Sequence, residues 1–500
     1  LEDRQGNLEH KKIKLQQAYF SIFISFETLF LLNKRNKKFS MPSKIDIKSI
    51  DINNPIFQLA FQLIEKTNYC VFLTGSAGTG KSTFLRYIRE NIKKNFVTLA
   101  PTGIAAINVE GVTIHSFFNL PRRPLLPDDE DVKIFHKGAD KRKIIQKMDT
   151  LIIDEISMVR ADVLDGIDAS LRRNGGDPQL PFGGKQVIFI GDIFQLEPVV
   201  QRQTGEYDFL ERVYGSPFFF SAYCLKTLAQ MGTPLISLEM KKIYRQKQED
   251  FIALLEKIRK NEVQQSDIDL LNQRYLSANQ VRNTNFAITL STKNAIVDSI
   301  NTEKIKQLAG KEYIYEGTIE GEFDEKFLPT DLYLKLKKGA QVMFVRNDMY
   351  GRWANGTIAR IHSLEETTIK VEMDNGEIYE VEPVTWENIT YFYNEQKRRV
   401  EQEVIGVYTQ FPLKLAWAIT IHKAQGLTFD RVLIDMGSGA FASGQLYVAL
   451  SRCRTLEGIT LTQKIRLSDA KLDHRIKDFA QTFNDKKLIR SLVNFSYTNK

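Results

Sequence analysis

From Asn68 onward, short apolar runs rich in β-branched residues alternate with stretches of helical periodicity. Val71–Thr74, Phe96–Ala100, Leu151–Asp154 and Val187–Gly191 each read as buried strands, and helical patterns at Ile56–Glu65 and Thr83–Ile92 flank the first of them. Strands that alternate with helices in this way imply a parallel sheet covered on both faces. A second set, Phe286–Ser291, Ala416–Ile421, Val432–Asp435 and Ile459–Thr462, repeats the style in the other half of the chain. Between Leu336 and Pro412 the pattern changes to period two, with Asn355–Gly356 and Asp374–Gly376 as hairpin turns. The expected organisation is α/β. A first domain spans 41–235 with an irregular, Pro- and charge-rich insert at about 119–148 (Leu120–Met148), and a second is built from 236–335 and 413–485. Residues 336–412 form an inserted small β-barrel or a long hairpin excursion, and a basic tail covers 486–500, a solvated helix or a frayed terminus.

Residues 1–40 are set apart from this fold as an extension, disordered or not native, because Met41 is the first methionine and precedes the first recognisable element. The apolar stretch Tyr19–Leu32 contains Glu27 and is shorter than the roughly 20 residues a spanning helix needs, so no membrane anchor is expected. A 500-residue chain that is 43% hydrophobic can bury more than one core. The excess of 69 Lys and Arg over 61 Asp and Glu, net +8, suits a polyanionic partner and is equally compatible with ordinary solvated surface. Cys70, Cys224 and Cys453 are too few and too scattered for a disulfide framework or a zinc site, which points to a reducing, intracellular setting. Nucleus, mitochondrion and bacterial cytoplasm all satisfy that.

The candidate chemistry starts at Gly75, Ser76, Ala77, Gly78, Thr79, Gly80, Lys81, Ser82 and Thr83, which match G-x-x-x-x-G-K-[ST] between a strand and a helix. The glycines let backbone N–H groups turn inward around phosphates at a helix N-terminus, Lys81 is placed for the β- and γ-phosphates, and the Ser82 hydroxyl for Mg²⁺. Leu151-Ile-Ile-Asp154-Glu155 is an apolar strand ending in paired acids. Asp154 suits Mg²⁺ through water and Glu155 the attacking water; the alternative is a helix cap with first-turn acid. Gln195, just past a third strand, is placed to feel the γ-phosphate.

In order, the chain carries GSAGTGKST (75–83), LAPTGIAAINVEGVTIHSFF (99–118), LIIDEISMV (151–159), PFGGKQVIFIGDIFQLEPV (181–199), YRQ (244–246), LAWAITIHKAQGLTFDRVLID (415–435) and YVALSRCRTLEGI (447–459). This collinear set resembles the superfamily 1B helicases of the petite-integration-frequency type, relatives of the RecD-like enzymes, over roughly residues 55–465. The resemblance implies two RecA-like P-loop domains that close on ATP and Mg²⁺ and move 5′→3′ along single-stranded DNA. It casts Arg245 and Arg452 as arginine fingers, brings Gln425 and Gly426 to the nucleotide, and turns Thr102, His115, Ser116, Thr420, His422 and Lys423 toward the strand. Phe117 and Phe118 are either base-stacking or core residues. The insert at 119–148 takes the place of the family's strand-separating wedge, and 336–412 that of its Src-homology-3-like barrel. For adenine, Gln58 and Gln62 are both candidates.

The function this implies is an ATP-dependent 5′→3′ DNA helicase, monomeric, acting on single-stranded and tailed duplex DNA or on folded DNA such as a G-quadruplex, in genome maintenance, repair, recombination or telomere upkeep. A nucleotide-switched DNA clamp without strong unwinding and an RNA helicase are the alternatives. Lys81→Ala and Glu155→Gln should each lower ATP turnover by more than about a thousandfold, measured as phosphate release. Glu155→Gln should still bind nucleotide and strand; normal hydrolysis by that variant would remove Glu155 from the role.

Overall fold

The computed structural model describes residues 51, 54–201, 203–246, 248–277 and 286–491. The extension 1–40 and the end of the tail, 492–500, lie outside the described residues. The first domain holds β1 (Val71–Gly75), β2 (Phe96–Ala100), β3 (Val112–Thr113), β4 (Thr150–Ile153), β5 (Gln186–Ile190) and β6 (Ile236–Met240). They form one sheet in the order β3-β2-β4-β5-β1-β6, every pairing parallel. All carboxyl ends therefore lie along one edge, where open α/β sheets bind ligands. β1, β4 and β5 are buried along their whole length, as their unbroken apolar runs require. β3 and β6 lie outside the expected strands: β3 has two residues, and Ser237 and Glu239 interrupt the apolar run of β6, whose residues 236–240, expected in the second domain, pair with β1 and so belong to the first.

The sheet of the second domain opens with β7 (Ile288–Ser291), after the helix Glu249–Lys260 of the same core. The chain then leaves through β8 (Glu312–Glu316), β9 (Thr318–Gly321), β10 (Tyr333–Lys337), β11 (Gln341–Phe344), β12 (Ile358–Leu364), β13 (Ile369–Glu372), β14 (Ile378–Val381), β15 (Val384–Asn394), β16 (Arg399–Gln410) and β17 (Leu413–Leu415). It returns at β18 (Ala418–Thr420), β19 (Val432–Asp435) and β20 (Ile459–Leu461). The order β18-β7-β19-β20 is again all parallel. Two parallel-sheet α/β domains are thus present, as expected.

The insert differs from expectation in extent and closure. Its antiparallel strands begin at Glu312 rather than Leu336, because β8 pairs with β10 and β9 with β16. Those early strands are short and mostly exposed, so they carry little apolar signal. Among the described residues the pairing is open, as sheets of five (β14-β13-β12-β11-β17), three (β15-β16-β9) and two strands, with β14 and β17 at edges. The long β15–β16 hairpin lies on the first domain: the Tyr391 hydroxyl accepts from the Thr98 amide (3.1 Å), and Gln402 Nε2 donates to the Glu110 carbonyl (2.8 Å). Tyr391 also packs into the first domain's core beside Phe117.

The insert at 119–148 has one helix, Asp140–Lys147. The rest is irregular because it is pinned from the helix Ala161–Asn174 by side chains: Arg173 Nη1 donates to the Asp129 carbonyl (2.7 Å), and Asn174 Oδ1 accepts from the Phe135 amide (2.7 Å). Leu120, Val132, Phe135 and Ile144 are buried in the same core.

The helix His474–Ala480 falls inside the stretch assigned to the second domain but packs on the first. Ile476 is buried in the first core, Phe479 stacks on Phe220 at 4.4 Å, and Arg475 Nη1 donates to Glu211 Oε1 at 2.8 Å. Among the described residues no helix is long and apolar enough to cross a membrane.

Candidate active site between the two domains

The phosphate loop joins the end of β1 to the helix Lys81–Asn91. Gly78 (φ +83°) and Gly80 (φ +91°) adopt the left-handed backbone that only glycine enters without strain. Lys81 curls back over the loop, its ammonium donating to the Gly75 carbonyl at 2.6 Å and the Ser76 carbonyl at 3.1 Å. Burial pulls Lys81 below its usual range, against the opposing pull of Asp192 and Glu155.

β4 delivers the two acids. Burial, with Glu155 beside it, pushes Asp154 up to about 7, while Lys81 pulls it back. Burial likewise raises Glu155, with Lys81 and Arg452 opposing. Glu155 sits at φ 49°, ψ 45°, a left-handed conformation that costs a non-glycine residue of order 1–3 kcal/mol and is found where function holds it in place. Two adjacent half-buried carboxyls opposed by one lysine suit a divalent cation: its charge would favour the ionised acid, and Ser82 and Asp154 could supply the oxygen donors such an ion takes.

From the second domain, the segment 244–246 lies on the loop. The Tyr244 amide donates to the Gly78 carbonyl (2.8 Å), and a Cβ on Gly78 would stand 2.4 Å from Arg245 Cβ. Arg245 Nη1 is buried without a hydrogen-bond partner, and burial with Arg452 nearby lowers its pKa to about 10. Arg452 is 1% exposed. It is oriented from its own domain, donating to the Val448 carbonyl (3.0 Å), the Leu427 carbonyl (3.3 Å) and Ser451 Oγ (2.8 Å). Gln246 Nε2 reaches the Ser451 and Cys453 carbonyls on either side of Arg452, both at 3.4 Å, and so joins the two arginine segments. Both polar atoms of the Gln425 amide are also buried without partners. Buried donors left unpaired cost about 1–3 kcal/mol each, and Arg245 Nη1 and Gln425 Nε2 fit an anionic ligand that would satisfy them.

Asp192, Arg259 and Tyr447 belong to this centre and have no place among the residues expected from the sequence. Gln195 Nε2 donates to Asp192 Oδ2 at 3.3 Å, and Arg259 Nη2 to Asp192 Oδ1 at 3.1 Å. Arg259 Nη1 also reaches Glu239 (3.0 Å). Breaking such a buried pair by removing one partner costs about 3–5 kcal/mol. The signal for Arg259 was its position: it continues the buried stripe of Phe251, Leu255 and Ile258 on the helix Glu249–Lys260, where an arginine needs a partner.

A family model described as "PIF1-like helicase" matches residues 53–269, and one described as "UvrD-like helicase C-terminal domain" matches 415–457. The ATP-dependent DNA helicase Pif1 of Bdellovibrio bacteriovorus is 31% identical over 422 residues, 82% of this chain and 88% of that protein. The chain belongs to the PIF1-like helicase family. The PIF1 helicase of Xenopus laevis is 32% identical, and the chain spans 58% of its length. Among solved structures, Bacteroides Pif1 in complex with ADP-AlF4 aligns with a TM-score of 0.77 at 41% identity, covering 85% of this chain and 96% of that one. Bacteroides Pif1 bound to single-stranded DNA aligns at 0.60, covering 87% and 97%.

In this PIF1-like helicase the residues expected to face the strand fall into two sets. On the first domain, Thr102 and His115 line a hollow of about 310 Å³ with Arg122, Arg123 and Arg160. Thr102 also caps the helix Gly103–Asn108, accepting from the Ala105 amide at 3.3 Å. Burial and then Arg160 and Arg122 pull His115 below its usual range. Ser116 is exposed nearby, its carbonyl accepting from Lys141 at 2.6 Å. On the second domain, Thr420 ends β18 and accepts from the Lys423 amide at 3.3 Å, His422 is pulled down by burial, and Lys423 is exposed. Phe117 and Phe118 are core residues, 3% and 0% exposed with rings 4.8 Å apart. Gln58 and Gln62 are both exposed on the helix Pro55–Lys66.

Gly78→Ala tests the close approach of the domains. The added methyl meets Arg245, so ATP turnover should fall by more than about a hundredfold while the melting transition stays within a few degrees. Turnover near the wild-type rate would show that the 244–246 segment need not lie on the loop.

Proposed function

We propose that this chain is an ATP-dependent 5′→3′ DNA helicase that moves on single-stranded DNA and opens tailed duplexes. The observation that carries the reading is that Arg245 of the second domain lies against the phosphate loop of the first, with Arg452 within electrostatic reach of the Glu155 carboxyl. In the proposed reaction the loop amides and Lys81 bind the β- and γ-phosphates, Glu155 orients and deprotonates the attacking water, and Gln195 positions it at the γ-phosphate. Arg245 and Arg452 stabilise charge on the transferring phosphoryl, a contribution of about 10³–10⁵ in rate where arginine fingers have been measured. Gln425 and Gly426 contact the nucleotide from the second domain. Mg²⁺, held by Ser82 and Asp154, supplies charge neutralisation at the phosphates when bound.

Because the catalytic groups come from both domains, hydrolysis is linked to their closure, and a closing joint on which both halves hold a strand is a motor. Thr102, His115 and Ser116 on one side and Thr420, His422 and Lys423 on the other are the proposed grips. Small polar donors and one cation hold phosphates without reading base edges, which suits sliding. A DNA substrate places the protein's work inside the cell.

Strand separation of 5′-tailed, 3′-tailed and blunt duplexes, with ATP and Mg²⁺, tests this directly. Only the 5′-tailed duplex should open. DNA-stimulated hydrolysis with no strand displacement would leave a clamp, and stimulation by RNA equal to that by DNA would overturn the DNA assignment.

A further inference from the structure

Resting on the helicase reading, we propose that the Tyr447 hydroxyl is a positioning group that registers seating of the second domain on the phosphate loop, acting through Asp192. Tyr447 lies on the second-domain helix Gln445–Ser451, and its ring belongs to that domain's core. Its oxygen leaves that core. It accepts a hydrogen bond from the Ala77 amide of the phosphate loop at 3.0 Å and donates one to Asp192 Oδ2 at 3.3 Å.

Asp192 is fully buried and joins its own loop to two helices of the second domain. Besides Tyr447 it accepts from Gln195 Nε2 (3.3 Å), from Arg259 Nη2 on the helix Glu249–Lys260 (3.1 Å) and from the Phe194 amide (3.2 Å). One hydroxyl and one carboxylate therefore tie a phosphate-loop amide and the γ-phosphate glutamine of the first domain to two helices of the second. A phenylalanine would fill the same apolar space. The hydroxyl, buried at a cost of several kcal/mol if unpaired, has partners only across the domain boundary.

The same helix leads directly into Arg452. Its displacement moves the arginine away from Glu155 and the hydroxyl away from Ala77 together. The loop's amide is held in register only when the helix that carries the arginine is seated, so a half-closed cleft has neither the aligned loop nor the finger. This makes hydrolysis depend on closure more steeply than the arginines alone would.

The test compares wild type, Tyr447→Phe, Asp192→Asn and the double variant for DNA-stimulated ATP turnover, KM for ATP, affinity for a fluorescent ADP analogue and melting temperature. Tyr447→Phe should lower kcat about tenfold, the scale of a hydrogen bond to a charged group, with KM and ADP affinity within about threefold of wild type. The double variant should be no slower than Asp192→Asn alone, since both changes remove one bridge. Unchanged kcat in Tyr447→Phe, losses that add in full, or a Tyr447→Phe chain that loses ADP binding together with turnover would each overturn the positioning role. A wild type whose hydrolysis ignores DNA would instead overturn the helicase reading and leave the bridge to be judged on basal turnover by the same comparison.

Discussion

The structure depends on how closely one loop lies against its neighbour domain. Gly78 faces Arg245 with no room for a side chain between them, and its carbonyl takes a hydrogen bond from the Tyr244 amide. A phosphate loop needs its backbone amides free to face a ligand, and in a single domain that edge would open to water. Here the segment 244–246 lies along it, and Gln246 fixes that segment to the carbonyls beside Arg452. The nucleotide site thereby acquires a wall that belongs to the other half of the molecule.

Closing that wall has an electrostatic consequence. Lys81, Asp154, Glu155, Asp192, Arg245, Arg259 and Arg452 share one water-poor region, and burial is the largest influence on each of the shifted groups among them. Charges there act on each other far more strongly than in water, so small displacements of one domain are felt at once by the other. Asp192 and Arg259 satisfy each other, with Glu239 and Glu256 completing the arginine's ion pairs. Arg245 and Gln425 keep buried atoms without partners, the complement of an anionic ligand.

Much of this was legible in the sequence where one local rule decided the outcome. Strands buried on both faces advertise themselves as apolar runs, so β1, β2, β4 and β5 appear within a residue or so of where they read, and the G-x-x-x-x-G-K-[ST] spacing fixed the loop conformation. Legibility failed where a decision was made by tertiary contact. β8 and β9 are exposed short strands whose pairing partners lie elsewhere in the chain. The segment 121–139 is held by Arg173 and Asn174, not by its own periodicity. The helix His474–Ala480 belongs to the second half by sequence order and to the first core by packing. Asp192, Arg259 and Tyr447 come together only when two sheets face each other, and no spacing rule links residues so far apart.

The central claim is that one ATP is hydrolysed by groups from both domains. Single-turnover hydrolysis by an Arg245→Ala/Arg452→Ala double variant, with nucleotide binding followed in the same samples, tests it most directly. Binding within about tenfold of wild type and hydrolysis slower by about 10³ or more are expected. Hydrolysis at an undiminished rate would mean that the first domain works alone, and that the second closes over a reaction it does not assist.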